Sequence, residues 1–284
     1  MTAVRLDQRG IVEVAGPEAG ALLQRLVTND VDGLGPGTAR YAALLTPQGK
    51  IVSDFLVCAT GENTFWLDCP RPLAPDLARK LTLYRLRAQV TIVDRSQDLA
   101  VWAVWPERPT LEAMVVQDPR HHSLGYRVIA AGPMPGLESE GDEAAYRDHR
   151  IMAGVPEGGI DFAYGDTFPH EANLDRLNGL DFTKGCYVGQ EVVSRVEHRG
   201  TARKRVTPVM FQGRAPSPGT ELSVGHIVIG TMGSAVDGAA DEPGRGLAMV
   251  RIDRAAEAAA EGAQVLADGV HLGIALGAAE AGSA

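Results

Sequence analysis

Cysteine is scarce in this 284-residue chain: Cys58, Cys69 and Cys186 are the three, and no two of them form a C-x-x-C pair. An odd, widely spaced set argues against both a disulfide framework and a self-contained zinc or cluster site. Long apolar runs are missing as well. No stretch approaches the roughly 18 residues of a membrane span, and residues 1–20 have no signal-peptide core, so a cytoplasmic protein without membrane contact is expected. Nor is there an excess of cations. A net charge of -9 argues against wrapping nucleic acid. What is left, 45% hydrophobic and 22% charged residues, is the make-up of a globular protein, and its length calls for two or three domains.

Against that background residues 182–191, F-T-K-G-C-Y-V-G-Q-E, stand out. Gly185 and Gly189 are unfavourable inside a helix or strand, so the backbone is expected to bend here or admit a close approach. The result is a loop that exposes the Cys186 thiol. Lys184, two residues before it, would favour the thiolate, because nearby positive charge stabilises ionised sulfur. A lone cysteine can also pack as a small hydrophobe, but glycines and charge on both sides favour chemistry. Between 184 and 205 lie Lys184, Arg195, Arg199, Arg203, Lys204 and Arg205 against Glu191 and Glu197. In an acidic chain such a run either holds an anionic small molecule or is a solvated surface strand.

The chain in order reads as α+β. Apolar runs at 4–6 and 11–14 suggest a hairpin across 7–10, and Pro17 opens a helix ending near Asn29. Strands follow at 41–45, 51–57 and 64–68, then a helix from Pro75 and strands at 90–93, 99–105 and 126–130. Asp54 interrupts an otherwise apolar strand, facing either solvent or a site. His121 and His122 lack a ligand cluster and read as surface residues. Asp142 caps a helix stopped by Gly154 and Pro156. The acids and His170 between 158 and 180 are too irregular for a metal pattern and read as a polar connection. Beyond 205 the texture changes to short strands at 206–211, 221–224, 226–231, 247–252, 264–266 and 270–276, the spacing of a small β-barrel, with a short helix within 255–262 and a tail from 277. The expected domains are 1–205 and 206–284.

At residues 184–191, K-G-C-Y-V-G-Q-E, the sequence resembles the YgfZ family, folate-binding relatives of the glycine-cleavage T-protein that act in iron-sulfur cluster assembly or repair. The resemblance continues in P-H-E-A-N-L at 169–174, in Arg199 and Gly200 before Arg203, Lys204 and Arg205, in L-V-T-N-D at 26–30 and in P-Q-G-K at 47–50. It implies a cloverleaf of two intertwined α+β parts, made from roughly the first 200 residues, and a C-terminal β-barrel around a central opening that holds tetrahydrofolate. Folate has an anionic glutamate tail, which gives the basic run a ligand.

Departures from the T-protein bear on activity. T-proteins resemble this chain over 150–154 but have a pterin-gripping glutamate where Met152 stands, and a thioether cannot make a carboxylate's paired hydrogen bonds. They have two adjacent aspartates where this chain has Ser53 and Asp54, and an acid where Cys186 stands. The resemblance therefore implies a folate-dependent accessory factor for clusters, of the four-iron type, in client enzymes, working with assembly proteins. Cys186 is the working thiol, poised by Lys184. Gly185 and Gly189 hold its loop, Gln190 and Glu191 fix it by hydrogen bonds, and Asp54, Arg195 and Arg199 face the folate, with Gly185, Tyr187, Gly189, Gln190 and Glu191 counted as cofactor-binding beside them. The alternative is a folate-dependent aminomethyltransferase or demethylase in which Asp54 orients the substrate amine.

Overall fold

The computed structural model describes residues 1–276 except 133, 135–136, 138–140, 201 and 240. The Arg199 side chain and the expected tail from 277 also lie outside the described residues. The chain forms two compact units, Met1–Tyr146 with Leu174–Ser194, and Arg147–Asn173 with the chain from Arg195 on.

The first unit is built on two antiparallel sheets. One has five strands in the order Ala39–Leu45, Ile51–Gly61, Thr64–Pro70, Arg9–Ala15 and Thr91–Asp94. The other has four, Thr2–Arg5, Ala100–Trp105, Tyr126–Ala130 and Met114–Gln117. Helix Ala19–Leu26 buries Ala19, Leu22, Leu23 and Leu26, and helix Ala74–Arg85 buries Ala74, Leu77 and Leu81, both in one core with Val12, Phe55 and Leu67 of the larger sheet. This is helical spacing laid on an alternating sheet face.

The hairpin expected from residues 4–6 and 11–14 does not form. Val4 pairs with Ala103 in the smaller sheet, whereas Val12 sits between Leu67 and Asp94 in the larger. Arg5 interrupts the first run and Glu13 the second, and runs this short carry no preference between a neighbour and a distant partner. Strand Met114–Gln117, four residues inside a Pro-, Gly- and His-rich stretch, also escapes the sequence pattern.

A buried chain of charges joins the two sheets. Arg9 Nε donates to Asp68 Oδ1 at 2.6 Å, and Arg127 of the smaller sheet lies 3.3 Å from the other Asp68 oxygen. Asp118 then takes Arg127 at 3.4 Å and Arg120 at 2.7 Å, and both guanidinium groups donate to the Tyr146 hydroxyl. Each charge is desolvated and each has an opposite partner, the condition under which such a network holds rather than disrupts a core.

In the second unit six strands, Lys204–Phe211, Gly244–Arg251, Ile227–Val236, Glu221–Val224, Val265–Ala267 and Val270–Ile274, close into a barrel, with Lys204–Phe211 pairing back to Val270–Ile274. Phe211, Leu222, Ile229, Met232, Ala248 and Val250 fill its interior with Ala255 of helix Ile252–Ala260. Helix Glu143–Met152 starts at Asp142, whose Oδ1 accepts the Ala145 N–H at 2.9 Å. Near its end Arg150, fully buried, donates to Asp161 Oδ2 at 2.8 Å and to the Ser234 hydroxyl of the barrel. Asp161 Oδ1 in turn accepts the Ser234 N–H at 2.6 Å, an approach for which Gly233 leaves room, since a Cβ there would collide with that oxygen.

Candidate functional site

Residues 181–189 form a loop held at three points. At its start the Asp181 carboxylate accepts the backbone N–H of Thr183 and Lys184 at 2.7 and 2.9 Å. In its middle Lys184 turns inward, 9% exposed, and its ammonium donates to the carbonyls of Val27 and Asn29 at 2.7 and 2.6 Å while lying 5.4 Å from the centre of the Tyr187 ring. At its end Gly189 has φ +83° and lies so close to the 46–50 turn that a Cβ would meet Thr46 O at 2.6 Å and Gly49 Cα at 3.1 Å. Gly49, at φ +80°, lies under the Val192 side chain, which a Cβ would meet at 2.9 Å, and 3.5 Å from the Gly189 carbonyl oxygen by the same measure. Two glycines back to back let the turn and the loop touch through their backbones.

Between these anchors Cys186 is exposed. Cys58 and Cys69 are buried, and burial raises both thiols, that of Cys69 to about 12. Tyr187, 7% exposed, is pushed up to about 12 by burial and then by Asp181. Burial brings Lys184 down to about 8, with Asp30 and Asp181 acting against it. The ammonium that the sequence sets two residues from the thiol thus has carbonyls and a ring as its partners and anchors the loop.

The other expected site residues are distributed differently. Gly185 has open space around its Cα and no positive φ, so only Gly189 of the pair is demanded by geometry. Gln190 and Glu191 open helix Gln190–Arg199, whose Val193 is buried and whose Glu191 and Arg195 are exposed. The sequence reading of loop and basic run had no helix here, because charged residues fill its outer face and leave a narrow apolar stripe. Asp54 is 4% exposed, which excludes the solvent-facing alternative; its Oδ2 accepts the Tyr41 hydroxyl at 2.9 Å. Burial and then Asp54 keep that hydroxyl protonated, so the carboxylate is the acceptor. Met152 is exposed. Tyr41 and Gly49 were not foreseen as parts of these arrangements; the P-Q-G-K turn was the available signal for Gly49, and an ordinary strand tyrosine gave none.

Comparison with known proteins agrees with this architecture. The family model described as the GCVT N-terminal domain matches residues 6–177, and that described as the CAF17 C-terminal beta-barrel domain matches residues 203–276. The iron-sulfur cluster assembly factor IBA57, mitochondrial, of Mus musculus is 36% identical over 255 residues, 80% of this chain and 70% of that protein. Its Homo sapiens counterpart is 35% identical over 259 residues, 82% of this chain and 72% of that protein. Among solved structures, glycine cleavage system aminomethyltransferase T from Bartonella henselae superposes with a TM-score of 0.75 at 18% identity, over 96% of this chain and 84% of that one, which shows a shared fold. No helix among the described residues is long and apolar enough to cross a membrane. The expected cytoplasmic location is corrected by the same relatives, which are named as mitochondrial proteins. With an N-terminal GCVT domain, a CAF17-type barrel and this identity over most of its length, the chain belongs to the family of the iron-sulfur cluster assembly factor IBA57.

Proposed function

We propose that this protein is an accessory factor for assembling or repairing iron-sulfur clusters of the four-iron type in client enzymes, with Cys186 as its working thiol. The observation that carries this reading is the contrast among its cysteines: Cys186 is exposed on a loop pinned by Lys184 and Gly189, while Cys58 and Cys69 are buried. Such clusters usually take four cysteine ligands, so a single thiol acts on a cluster only together with ligands from a client or an assembly protein. The K-G-C-Y-V-G-Q-E run supports a YgfZ-type version of this role, and the names of the relatives support cluster assembly.

Folate dependence is part of the proposal. The residues present fit the anionic end of a folate better than its ring. Arg195 is exposed on its helix, with Arg199 four residues further on, and a guanidinium's several donors let it share a glutamate carboxylate with the contacts it already makes. Asp54 already accepts a tyrosine hydroxyl inside its sheet, and the thioether of Met152 cannot pair with a pterin edge. Tetrahydrofolate bound there would supply one-carbon chemistry; the residues of this chain bind and orient it. A methylene transferase would need Asp54 free to meet a substrate amine, and its engagement with Tyr41 favours the accessory role.

The test is complementation of cells lacking this protein, reading the activity of four-iron dehydratases. Wild type restores it and Cys186→Ala does not; full restoration by Cys186→Ala would refute the thiol's role. Calorimetric titration with tetrahydrofolate, weakened by Arg195→Ala, tests the folate half independently.

A further inference from the structure

The first unit carries a two-lobed groove, one end of which reaches Leu180 at the start of the thiol loop. One lobe, about 590 Å³, is lined by Trp66, Leu111, Met114 and Ala59. The other, about 750 Å³, is lined by Arg40, His121, His122, Asn29 and Asn178. Gly37 and Arg108 line both, so the lobes adjoin at Arg108. Each volume lies in the range of small-molecule sites; Trp66, Leu111 and Met114 give the first lobe an apolar wall beside Thr60 and Thr110, and Arg40 with the two histidines makes the second more polar.

The apolar lobe presents a half-buried indole whose Nε1 is tied to Glu13 Oε2 at 2.9 Å, which fixes the ring as a flat wall. At the junction Arg108 is exposed yet positioned: one of its nitrogens donates to Val115 O at 3.0 Å, and its guanidinium lies 5.7 Å from the Tyr126 ring centre. A guanidinium carries five N–H donors, which these two contacts do not exhaust, and Arg108 lines both lobes. Arg40 is an exposed cation on the strand edge of the polar lobe. The imidazoles of His121 and His122 lie 4.5 Å apart there, with His121 Nδ1 2.8 Å from Ser123 Oγ. Asp118 also lines this lobe, but its carboxylate belongs to Arg120 and Arg127. Burial alone would raise it, and those two guanidinium groups nevertheless hold it at about 2. Its charge is therefore cancelled from behind, and Arg40 and Arg108 set the sign of the lobe.

We infer that this groove binds an elongated anion with a flat aromatic body, the body lying against Trp66 and Met114 and the phosphate or carboxylate meeting Arg108 and Arg40. The site is independent of the Cys186 chemistry proposed above.

Calorimetric titration of the full chain distinguishes the two anion sources, with adenosine monophosphate as the phosphate probe and 2,6-naphthalenedicarboxylate as the carboxylate probe. Saturable binding of either supports the site and names its preferred anion. Arg40→Glu should weaken that binding by about tenfold or more, the loss of a charge-assisted contact. Thr110→Trp, which fills the apolar lobe from an exposed position, should weaken it as well, and Cys186→Ala should leave it unchanged. Absence of binding by both probes would overturn the inference, as would binding that ignores Arg40→Glu and Thr110→Trp, or adenosine binding as tightly as its monophosphate.

Discussion

Gly185 and Gly189 flank the same thiol and differ in what holds them. A methyl group at 189 has no room against Thr46 O and would sit at a positive φ, whereas one at 185 meets open space. Gly189→Ala should therefore destabilise the protein by about 2 kcal/mol or more, and Gly185→Ala by within about 0.5 kcal/mol, in paired urea titrations. Equal effects would mean the loop is not seated on the 46–50 turn. The cysteines offer a second test at this scale. Iodoacetamide should add one label to the native protein, at Cys186, and three after unfolding, because Cys58 and Cys69 are buried with raised thiols. Mass spectrometry reads both counts. An exposed cysteine between two glycines was legible in the sequence, since glycine pairs mark bends. That Lys184 would face inward was not, because its partners are backbone carbonyls at Val27 and Asn29, which no side-chain pattern announces.

At the scale of elements, Arg150 illustrates how a residue read as part of a family motif serves the fold. It ties the end of its helix to barrel strand Ile227–Val236 through Asp161 and Ser234. Asp161→Ala leaves the buried Arg150 with only the half-buried Glu157 carboxylate, 3.0 Å from its Nε, and strips the Ser234 N–H of its acceptor; it should reduce stability by about 2–3 kcal/mol, measured by chemical denaturation. Asp161→Asn, which keeps an acceptor, should lose less. The barrel strands were the most legible part of the chain: Gly/Pro turns punctuate short alternating runs, and the six observed strands overlap the six expected. Helix Gln190–Arg199 was the least, because Gly189 hides its start within a loop signature and its outer face is almost wholly charged. Pairing between distant strands, as for Thr2–Arg5 with Ala100–Trp105, lies beyond any local pattern.

For the molecule as a whole, two titrations make stability rise with pH, in separate windows. The Asp118 carboxylate, held at about 2 against an ordinary 3.8, contributes stability that is complete above 3.8 and lost as pH falls toward 2. Acid unfolding should accordingly be shallower in Asp118→Asn, a variant already weaker at neutral pH. Lys184 acts at the alkaline end, where a penalty is relieved rather than a contribution gained. Between about 8 and 10.5 the folded chain holds fewer protons at this amine than the unfolded chain does, so native stability rises with pH through that window. The difference in unfolding free energy between wild type and Lys184→Met should grow in favour of wild type from below 8 to near 10.5. A flat or inverted difference would mean the amine keeps its ordinary affinity for protons.

Closure of the six-stranded barrel removes a mode of association. With Lys204–Phe211 hydrogen-bonded to both Gly244–Arg251 and Val270–Ile274, the barrel's ladder has no open seam into which an incoming polypeptide could lay a strand. Main-chain zippering is thus confined to the open sheets, at borders such as Ala39–Leu45 and the four-residue Thr91–Asp94. A partner that grips the barrel must recognise it by side chains alone, and its specificity will be written in surface residues such as Met210, Ile227 and Val228.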